Sequence, residues 1–366
     1  MIPISKPKIS RLEIDYVTDA VKTGWVSSLG PYIEKFEEKF AEYCGVKYAL
    51  SVANGTVGLH LALKTLEIGD GDEVIIPDLT FVATANAVVT AQAVPVIVDV
   101  CRDTYCIDPL LVERAITNKT RAIIPVHLYG HPANMSAINE LARKYNLKII
   151  EDAAEAHGAS INGVKVGALG DCGVFSFYGN KIITSGEGGM ITTNSYAIYE
   201  RAKLLRDHAM SKSIRYWHTE VGYNYRMTNM QAALGLAQLE QIDEFIGHRK
   251  RLLELYATRL QPSGIECNPK VDVDSTVWMV CAVLNGINRS ERDSVIKYMR
   301  DDSVDSRPFF FPLSMMPMYK NITNPIAYYL SESALNLPTF VDMTEDQVTI
   351  VCNALLSAIN RVRQDK

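Results

Sequence analysis

The sequence lacks long apolar runs and an excess of charge of either sign. No stretch approaches the roughly 20 apolar residues that a membrane-spanning helix needs. The N-terminal segment MIPISKPKISRLEID contains no apolar core of the kind found in signal peptides. Charged residues make up 22% of the chain and the formal net charge is only -5, so no basic field is present to hold nucleic acid or an anionic membrane. We therefore expect a cytoplasmic protein that acts on small molecules.

Paired cysteines are also missing. The chain has seven cysteines, an odd number, and no two of them have CxxC spacing. In a chain of this length, such usage is typical of reduced, mostly buried thiols. This cysteine usage again predicts a protein of the reducing cytoplasm.

The chain is long enough for two parts. With 366 residues and 48% hydrophobic content, it suits one large domain and a smaller one. Between residues 48 and 193, short apolar runs alternate with helical patterns. The runs are YALSV (48–52), EVIIP (73–77), VPVIVDV (94–100), RAIIPVHL (121–128), LKIIEDAA (147–154), GVFSF (173–177) and GMITT (189–193). Apolar strands separated by helices predict an α/β fold with a mostly parallel, seven-stranded sheet covered on both faces.

The pattern changes after Thr228. Residues 229–260 predict one or two long helices, and short strands such as VWMVCAVL (277–284) then alternate with helices. We expect a large domain over residues 1–245 and a smaller C-terminal α+β domain over residues 246–366. Parallel sheets bind ligands at the carboxyl ends of their strands, so residues that directly follow the strands are the candidates for chemistry.

Two strand ends carry groups suited to a phosphate or to a planar ring. YALSV is followed by Asn54, Gly55 and Thr56, where glycine lets the backbone approach a ligand and the next helix presents free N–H groups. Phe81 lies at the junction between EVIIP and the following helix, where its ring could stack on a planar ligand. Taken singly, an ordinary turn and a core phenylalanine are the commoner interpretations.

Two further strand ends carry ionisable side chains. Asp152 follows LKII on a strand that should be central, and a buried carboxylate needs a cationic or donor partner. Ser176 comes near the end of GVFSF, and Lys181 follows five residues later, before the glycine-rich TSGEGG. Taken singly, the aspartate would more often cap a helix, and a lysine before a turn is usually at the surface.

Together the four strand ends fit one ligand, pyridoxal 5′-phosphate (PLP). A lysine such as Lys181 forms a Schiff base with this cofactor and moves protons. An aspartate such as Asp152 keeps the pyridine nitrogen protonated, so that the ring withdraws electrons. The glycine turn and the hydroxyl groups hold the phosphate, and TSGEGG lets the chain turn sharply beside the cofactor. The sequence therefore predicts a PLP site.

The same motifs carry a family resemblance that spans nearly the whole chain. They are GWVSSLGPYIEKFEEKFAEYCGVKYALSVANGTVGLHLAL, GDEVIIPDLTFVATANAV, VHLYGHP, IIEDAAEAHGA, FSFYGNKIITSGEGGMITTN and GYNYRMTNMQAALGLAQL. With them the chain resembles the PLP-dependent nucleotide-sugar aminotransferases of the DegT/StrS group, which have the aspartate-aminotransferase-like (fold type I) architecture. The resemblance implies that Lys181 is the Schiff-base lysine and that Asp152 binds the ring nitrogen. It also implies that Phe81 stacks on the ring and that Glu155 lies beside the ring hydroxyl.

The resemblance assigns the phosphate to residues from two subunits. Gly55, Thr56 and Ser176 match phosphate-binding residues of the group. Asn224 of GYNYR matches an asparagine that reaches the phosphate from the neighbouring subunit. The implied active unit is thus a homodimer with shared active sites, and no metal is implied.

The substrates are implied in the same way. YGNKIITSGEGGM, RYWHTEVGYNYRMTN and RPFFFPLSMMPMY look most like members that aminate C4 of a GDP-linked 4-keto-6-deoxy sugar with L-glutamate, in the synthesis of surface polysaccharide such as the O-antigen of lipopolysaccharide. Arg307, before PFFFP, is a candidate for a diphosphate contact, although a surface position is as common for such an arginine. Ser314 departs from the pattern, because the group has a histidine there, and this bears on the substrate alone.

Four alternatives remain open. Members of the group also act on UDP- or dTDP-linked keto sugars, at C4 or at C3. A related sugar 3-dehydratase would carry histidine in place of Lys181, so Lys181 argues against that reaction. His127 and His131 of HLYGH do not share a helix face, and we interpret them as polar positions near the rim of the crevice rather than as metal ligands. A non-catalytic regulator of the same fold would be expected to lose Lys181 or Asp152.

Overall fold

The computed structural model describes residues 1–269, 273–319 and 323–364. The helices in chain order are α1 Arg11–Lys22, α2 Pro31–Cys44, α3 Gly55–Thr65, α4 Ala83–Thr90, α5 Pro109–Ala115, α6 Met135–Tyr145, α7 Tyr196–Arg206, α8 Asn229–Leu239, α9 Ile242–Leu260, α10 Arg289–Asp301, α11 Pro325–Ser333 and α12 Glu345–Gln364. The strands are β1 Tyr48–Val52, β2 Glu73–Pro77, β3 Val94–Val98, β4 Thr120–Ile123, β5 Lys148–Asp152, β6 Ser160–Ile161, β7 Val164–Lys165, β8 Cys172–Ser176, β9 Gly189–Thr193, β10 Glu266–Cys267, β11 Val280–Val283, β12 Arg307–Pro308 and β13 Ala334–Leu337.

Seven strands form the main sheet in the order β1-β9-β8-β5-β4-β2-β3. The pairs from β8 through β5, β4 and β2 to β3 are parallel, whereas β9 is antiparallel to both β1 and β8. Because β9 runs against both neighbours, β1 has the same direction as β8. The carboxyl ends of β1, β2, β5 and β8 therefore lie along one edge. The predicted α/β fold with a mostly parallel seven-stranded sheet is confirmed.

The strands differ from the predicted runs mainly at their ends. RAIIPVHL was expected to be one strand over residues 121–128, but β4 ends at Ile123. Proline at position 125 has no N–H to donate to the ladder, which ends the regular pairing there. An isolated bridge between Val126 and Asp152 continues the contact beyond it.

The C-terminal part contains a second sheet. It has four antiparallel strands in the order β10-β11-β13-β12. Its core is a separate apolar cluster with α9, α10 and α12, in which Leu252, Val295 and Leu355 are buried. The predicted domain division between residues 245 and 246 falls inside α9 and stays a prediction.

Two further findings concern the whole chain. Among the described residues, no helix combines the length and the apolarity needed to cross a membrane. All seven cysteines are free, and six of them are buried.

Candidate active site

A cavity of about 580 Å³ opens at the carboxyl ends of the main strands. Seven of the eight predicted cofactor residues line it, namely Gly55, Thr56, Phe81, Asp152, Glu155, Ser176 and Lys181. Asn224 is exposed, does not line this cavity, and accepts a hydrogen bond from Arg226 at 2.9 Å. The structure thus brings together in one chain every candidate except the one expected from a second subunit.

The start of α3 provides the backbone donors of the cavity. Asn54 caps this helix, its Oδ1 accepting from the N–H of Val57 at 3.0 Å. The N–H groups of the first helical turn have no carbonyl within the helix to bind. A Cβ atom on Gly55 would lie 3.0 Å from Cβ of Ser176, so glycine lets the helix start close against β8. Backbone donors and the Ser176 hydroxyl consequently lie side by side.

Asp152 is a buried carboxylate that accepts two hydrogen bonds. It ends β5, where its Oδ2 accepts from the Thr84 hydroxyl at 2.8 Å and its Oδ1 from the Ala154 N–H at 3.2 Å. Within the described ranges, no lysine, arginine or histidine lies at ion-pair distance from it. Burial raises the pKa of Asp152, and the bond from Thr84 opposes that rise. The carboxylate would therefore gain from a positively charged donor in the cavity.

Lys181 lies inside the cavity rather than on the surface. Its side chain is 11% exposed, and its Nζ lies 3.5 Å from Oε1 of Glu155. The glycine-rich turn that follows has positive φ at Gly186 (+83°) and Gly188 (+155°), as the sequence predicted. The N–H of Phe177 donates to the Gly188 carbonyl at 2.8 Å, which closes this turn back onto the end of β8.

Glu155 connects Lys181 to a neighbouring loop. Its Oε2 accepts from the N–H of Tyr129 at 2.9 Å. Burial raises the pKa of Glu155 to about 7, and Lys181 opposes this rise. Glu155 thus links the Lys181 amine to the backbone of the Tyr129 turn.

Sequence reasoning missed the residues that the C-terminal part adds to the cavity. Trp278 and Phe310 line it, far along the chain from the predicted strand ends. No local pattern marks them, because only tertiary packing brings them there. Thr80, Tyr178 and Asn180 also line it and could have been found, since each lies within two residues of one that was singled out.

The prediction for the two histidines of HLYGH was wrong. Both are buried rather than near a rim. The Nδ1 of His127 accepts from the N–H of Ala133 at 3.0 Å, so its Nε2 donates to Glu151 at 3.0 Å. Burial lowers the pKa of His131 to about 4. Within the described residues, no group of three or more potential ligands could hold a metal ion.

The remaining two candidates lie beside the cavity. Ser314 is buried, and its N–H and hydroxyl donate to the carboxylate of Asp78 at 2.8 and 2.6 Å. It thus ties the segment after β12 to the end of β2. Arg307 is half-exposed and paired with Asp305 at 3.0 Å. It lines a second cavity of about 440 Å³ that shares Phe81 and Trp278 with the first.

Known proteins resemble this chain over its full length. A model of the DegT/DnrJ/EryC1/StrS aminotransferase family matches residues 7–356. GDP-perosamine synthase from Escherichia coli O157:H7 is 43% identical, over 100% of this chain and 99% of that protein. GDP-perosamine synthase from Caulobacter vibrioides is 46% identical, over 97% of both. The PLP form of the sugar aminotransferase Spr1654 from Streptococcus pneumoniae, described as putative, superposes with a TM-score of 0.93 at 28% identity, over 99% of each chain.

Proposed function

Since the chain belongs to the DegT/DnrJ/EryC1/StrS aminotransferase family, we propose that it transfers the amino group of L-glutamate to C4 of GDP-4-keto-6-deoxy-D-mannose and so makes GDP-perosamine. The observation that supports this substrate is the sequence identity of 43% and 46% with two full-length proteins named GDP-perosamine synthase. The observation that carries the chemistry is the cavity in which Lys181 and the buried Asp152 meet.

The residues of the cavity fit PLP, which has an anionic phosphate and a ring nitrogen able to carry a proton. The N–H groups at the start of α3 and the Ser176 hydroxyl suit the phosphate. A side chain at Gly55 would press on Ser176 and fill this place. Asp152 suits the ring nitrogen, because its buried carboxylate lies outside ion-pair distance of every cationic side chain in the described part of the chain.

Each residue then has a role in the transfer. When bound, PLP supplies a carbon that accepts the amino group and a ring that withdraws electrons. Lys181 is the group that attaches the cofactor and moves the proton. Asp152 would keep the ring nitrogen protonated, and Phe81, which is 55% exposed and lines the cavity, would stack on the ring. Because one lysine serves one side of the cavity, we expect the amine to form with a single stereochemistry.

The proposed active unit is a homodimer in the cytoplasm. Exposed apolar side chains cluster before Asn224, at Ile214, Tyr216, Trp217 and Val221. Such a cluster is typical of a surface that another molecule covers. A second copy would bury it and bring its own Asn224 towards the phosphate end of the cavity.

A substrate panel tests this function. The purified protein is given glutamate with GDP-, UDP- and dTDP-linked 4-keto-6-deoxy sugars, and kcat/KM is compared by mass spectrometry of the products. We expect a clear preference for the GDP sugar and amination at C4. Preference for a UDP or dTDP sugar, or amination at C3, would refute the substrate and leave the aminotransferase standing. If the protein with bound PLP transferred no amino group to any sugar of the panel, both the substrate and the aminotransferase activity would be refuted.

A further inference from the structure

The ammonium group of Lys181 contacts the aromatic ring of Trp278 in addition to the carboxylate of Glu155. Its Nζ lies 4.0 Å from the centre of the Trp278 ring. A cation at this distance over the face of an indole is attracted by the negative face of the ring, and the attraction grows when water is excluded. With the Lys181 side chain mostly buried, the indole therefore replaces part of the hydration that the ammonium has lost.

The Trp278 ring is held in a fixed orientation. Its Nε1–H donates to the carbonyl of Asn180, the residue before Lys181, at 2.7 Å. One face stacks on Tyr129, with ring centres 5.9 Å apart and planes 15° apart. Tyr129 in turn stacks on Phe310 at 5.4 Å. These contacts leave the indole little freedom to turn away from the lysine.

The backbone of Trp278 is anchored as firmly as its ring. Its N–H donates to the carbonyl of Tyr129 at 3.0 Å, and its carbonyl accepts from the buried guanidinium of Arg249 at 2.7 Å. Thr276, two residues earlier, donates its N–H to the carbonyl of Gly130 at 3.1 Å. The segment is thus docked on the Leu128–Gly130 turn, next to the Tyr129 N–H that binds Glu155.

We propose that Trp278 is a positioning residue for Lys181. Its indole face attracts the amine inside the cavity, and its Nε1–H fixes the backbone from which that amine projects. Together with Glu155, it keeps Lys181 directed into the cavity whenever the amine is not bonded to the cofactor. The reason for positioning Lys181 rests on the proposed function, whereas the contacts with Trp278 lie within this chain and can be tested without the reaction.

Competitive acetylation of the cofactor-free protein tests the inference. Wild type, Trp278→Phe and Trp278→Leu are treated with a trace of acetic anhydride at pH 8, and label on Lys181 is measured by peptide mass spectrometry. Label on exposed Lys144 serves as the internal standard. Loss of the aromatic face should release the amine from this contact and so speed labelling of Lys181 roughly three- to tenfold in the Leu variant. The Phe variant, which keeps an aromatic face, should stay closer to wild type.

The two variants separate the aromatic face from the Nε1–H, because both lose the hydrogen bond to the Asn180 carbonyl and only the Phe variant keeps an aromatic face. Equal acceleration in both would show that the aromatic face does not hold Lys181, and unchanged labelling in both would show that Trp278 does not act on Lys181; either result overturns the inference. Folding is checked by Tm, and Trp278→Met is the second ring-free variant if the Leu variant does not fold. Since no amino transfer is measured, the result stands apart from the substrate panel.

Discussion

Lys181 and Asp152 come to one cavity because β5 and β8 are neighbouring parallel strands. Each had a commoner interpretation when taken alone, and only their places after neighbouring strands favoured a common cavity. The structure brings both to that cavity, one at the end of β5 and the other after β8. Strand direction could be predicted because buried parallel strands have continuous apolar runs. The partners of these side chains could not, since hydrogen bonds such as Thr84 to Asp152 span 68 residues of chain.

Replacing Asp152 with Asn tests the proposed electron withdrawal. The change preserves shape and removes the charge that should keep the ring nitrogen protonated. We expect kcat to fall on the order of 10³-fold, equivalent to about 4 kcal/mol in the activation barrier. The matched control is Asp99→Asn, because Asp99 is also a buried carboxylate but accepts from the N–H groups of Ile326 and Ala327, outside the cavity. Near-normal kcat in Asp152→Asn would contradict the role.

His157 should make the fold sensitive to acid. Its ring is buried between Phe175 and Phe177, with ring centres 5.4 and 5.7 Å away. Burial lowers the pKa of His157 to about 3 from its ordinary value of 6.5. Below pH 6.5 the His157 ring takes up a proton in the unfolded chain but not in the folded chain. The free energy of unfolding that is present at neutral pH is therefore lost as the pH falls towards 3.

Replacing His157 with Phe should remove this dependence. Between pH 7.5 and pH 5, the free energy of unfolding in urea should fall by about 2 kcal/mol less in the variant than in the wild type. His218→Gln is the control, because it removes an exposed histidine ring instead of a buried one. Equal slopes for His157→Phe and wild type would show that His157 does not carry the acid sensitivity.

At the scale of elements, the strands were predicted closely and the docking of the C-terminal part was not. Alternation of apolar runs and helices is a local signal, readable along the chain. The segment before β11 reaches the cavity through contacts with the Leu128–Gly130 turn, almost 150 residues earlier. No pattern within either segment specifies such a pairing, so Trp278 and its contact with Lys181 emerged only from the structure.

Gly130 should be essential for this docking. It has φ of +93°, and a Cβ there would lie 2.8 Å from the backbone nitrogens of Val277 and Trp278. Gly130→Ala should therefore destabilise the protein by about 3 kcal/mol and shift Trp278 fluorescence to the red as the segment lifts. Gly71→Ala is the control, because Gly71 has φ of +82° with open space around it and should cost about 1 kcal/mol. Similar losses of stability in Gly130→Ala and Gly71→Ala would mean that the strain of a positive φ, and not the contact with Val277 and Trp278, determines the cost.

At the scale of the whole molecule, Asn224 is the predicted cofactor residue that lies outside the cavity. The other seven predicted cofactor residues share one cavity, whereas Asn224 is exposed beside Arg226 and close in sequence to the apolar cluster that ends at Val221. An exposed asparagine next to exposed apolar side chains is what a two-fold interface would require of a residue that serves the partner's site. The sequence suggested such a contact only through resemblance, because no pattern within one chain specifies which residues meet across an interface.

Mixing two inactive variants tests the shared site directly. Lys181→Ala lacks the attaching amine, and Asn224→Ala lacks the proposed contact from the partner. In a randomly exchanged 1:1 mixture, half the dimers are mixed, and one of the two sites in each has both an intact Lys181 and an intact Asn224. About a quarter of all sites should then recover activity, because the two-fold axis gives each site one residue from each subunit. Two Lys181→Ala samples mixed together are the control for carry-over. Recovery no greater than the sum of the separate variants, or a fully active monomer in sedimentation, would contradict the shared site, since only a contact across the interface can restore a site that neither homodimer possesses.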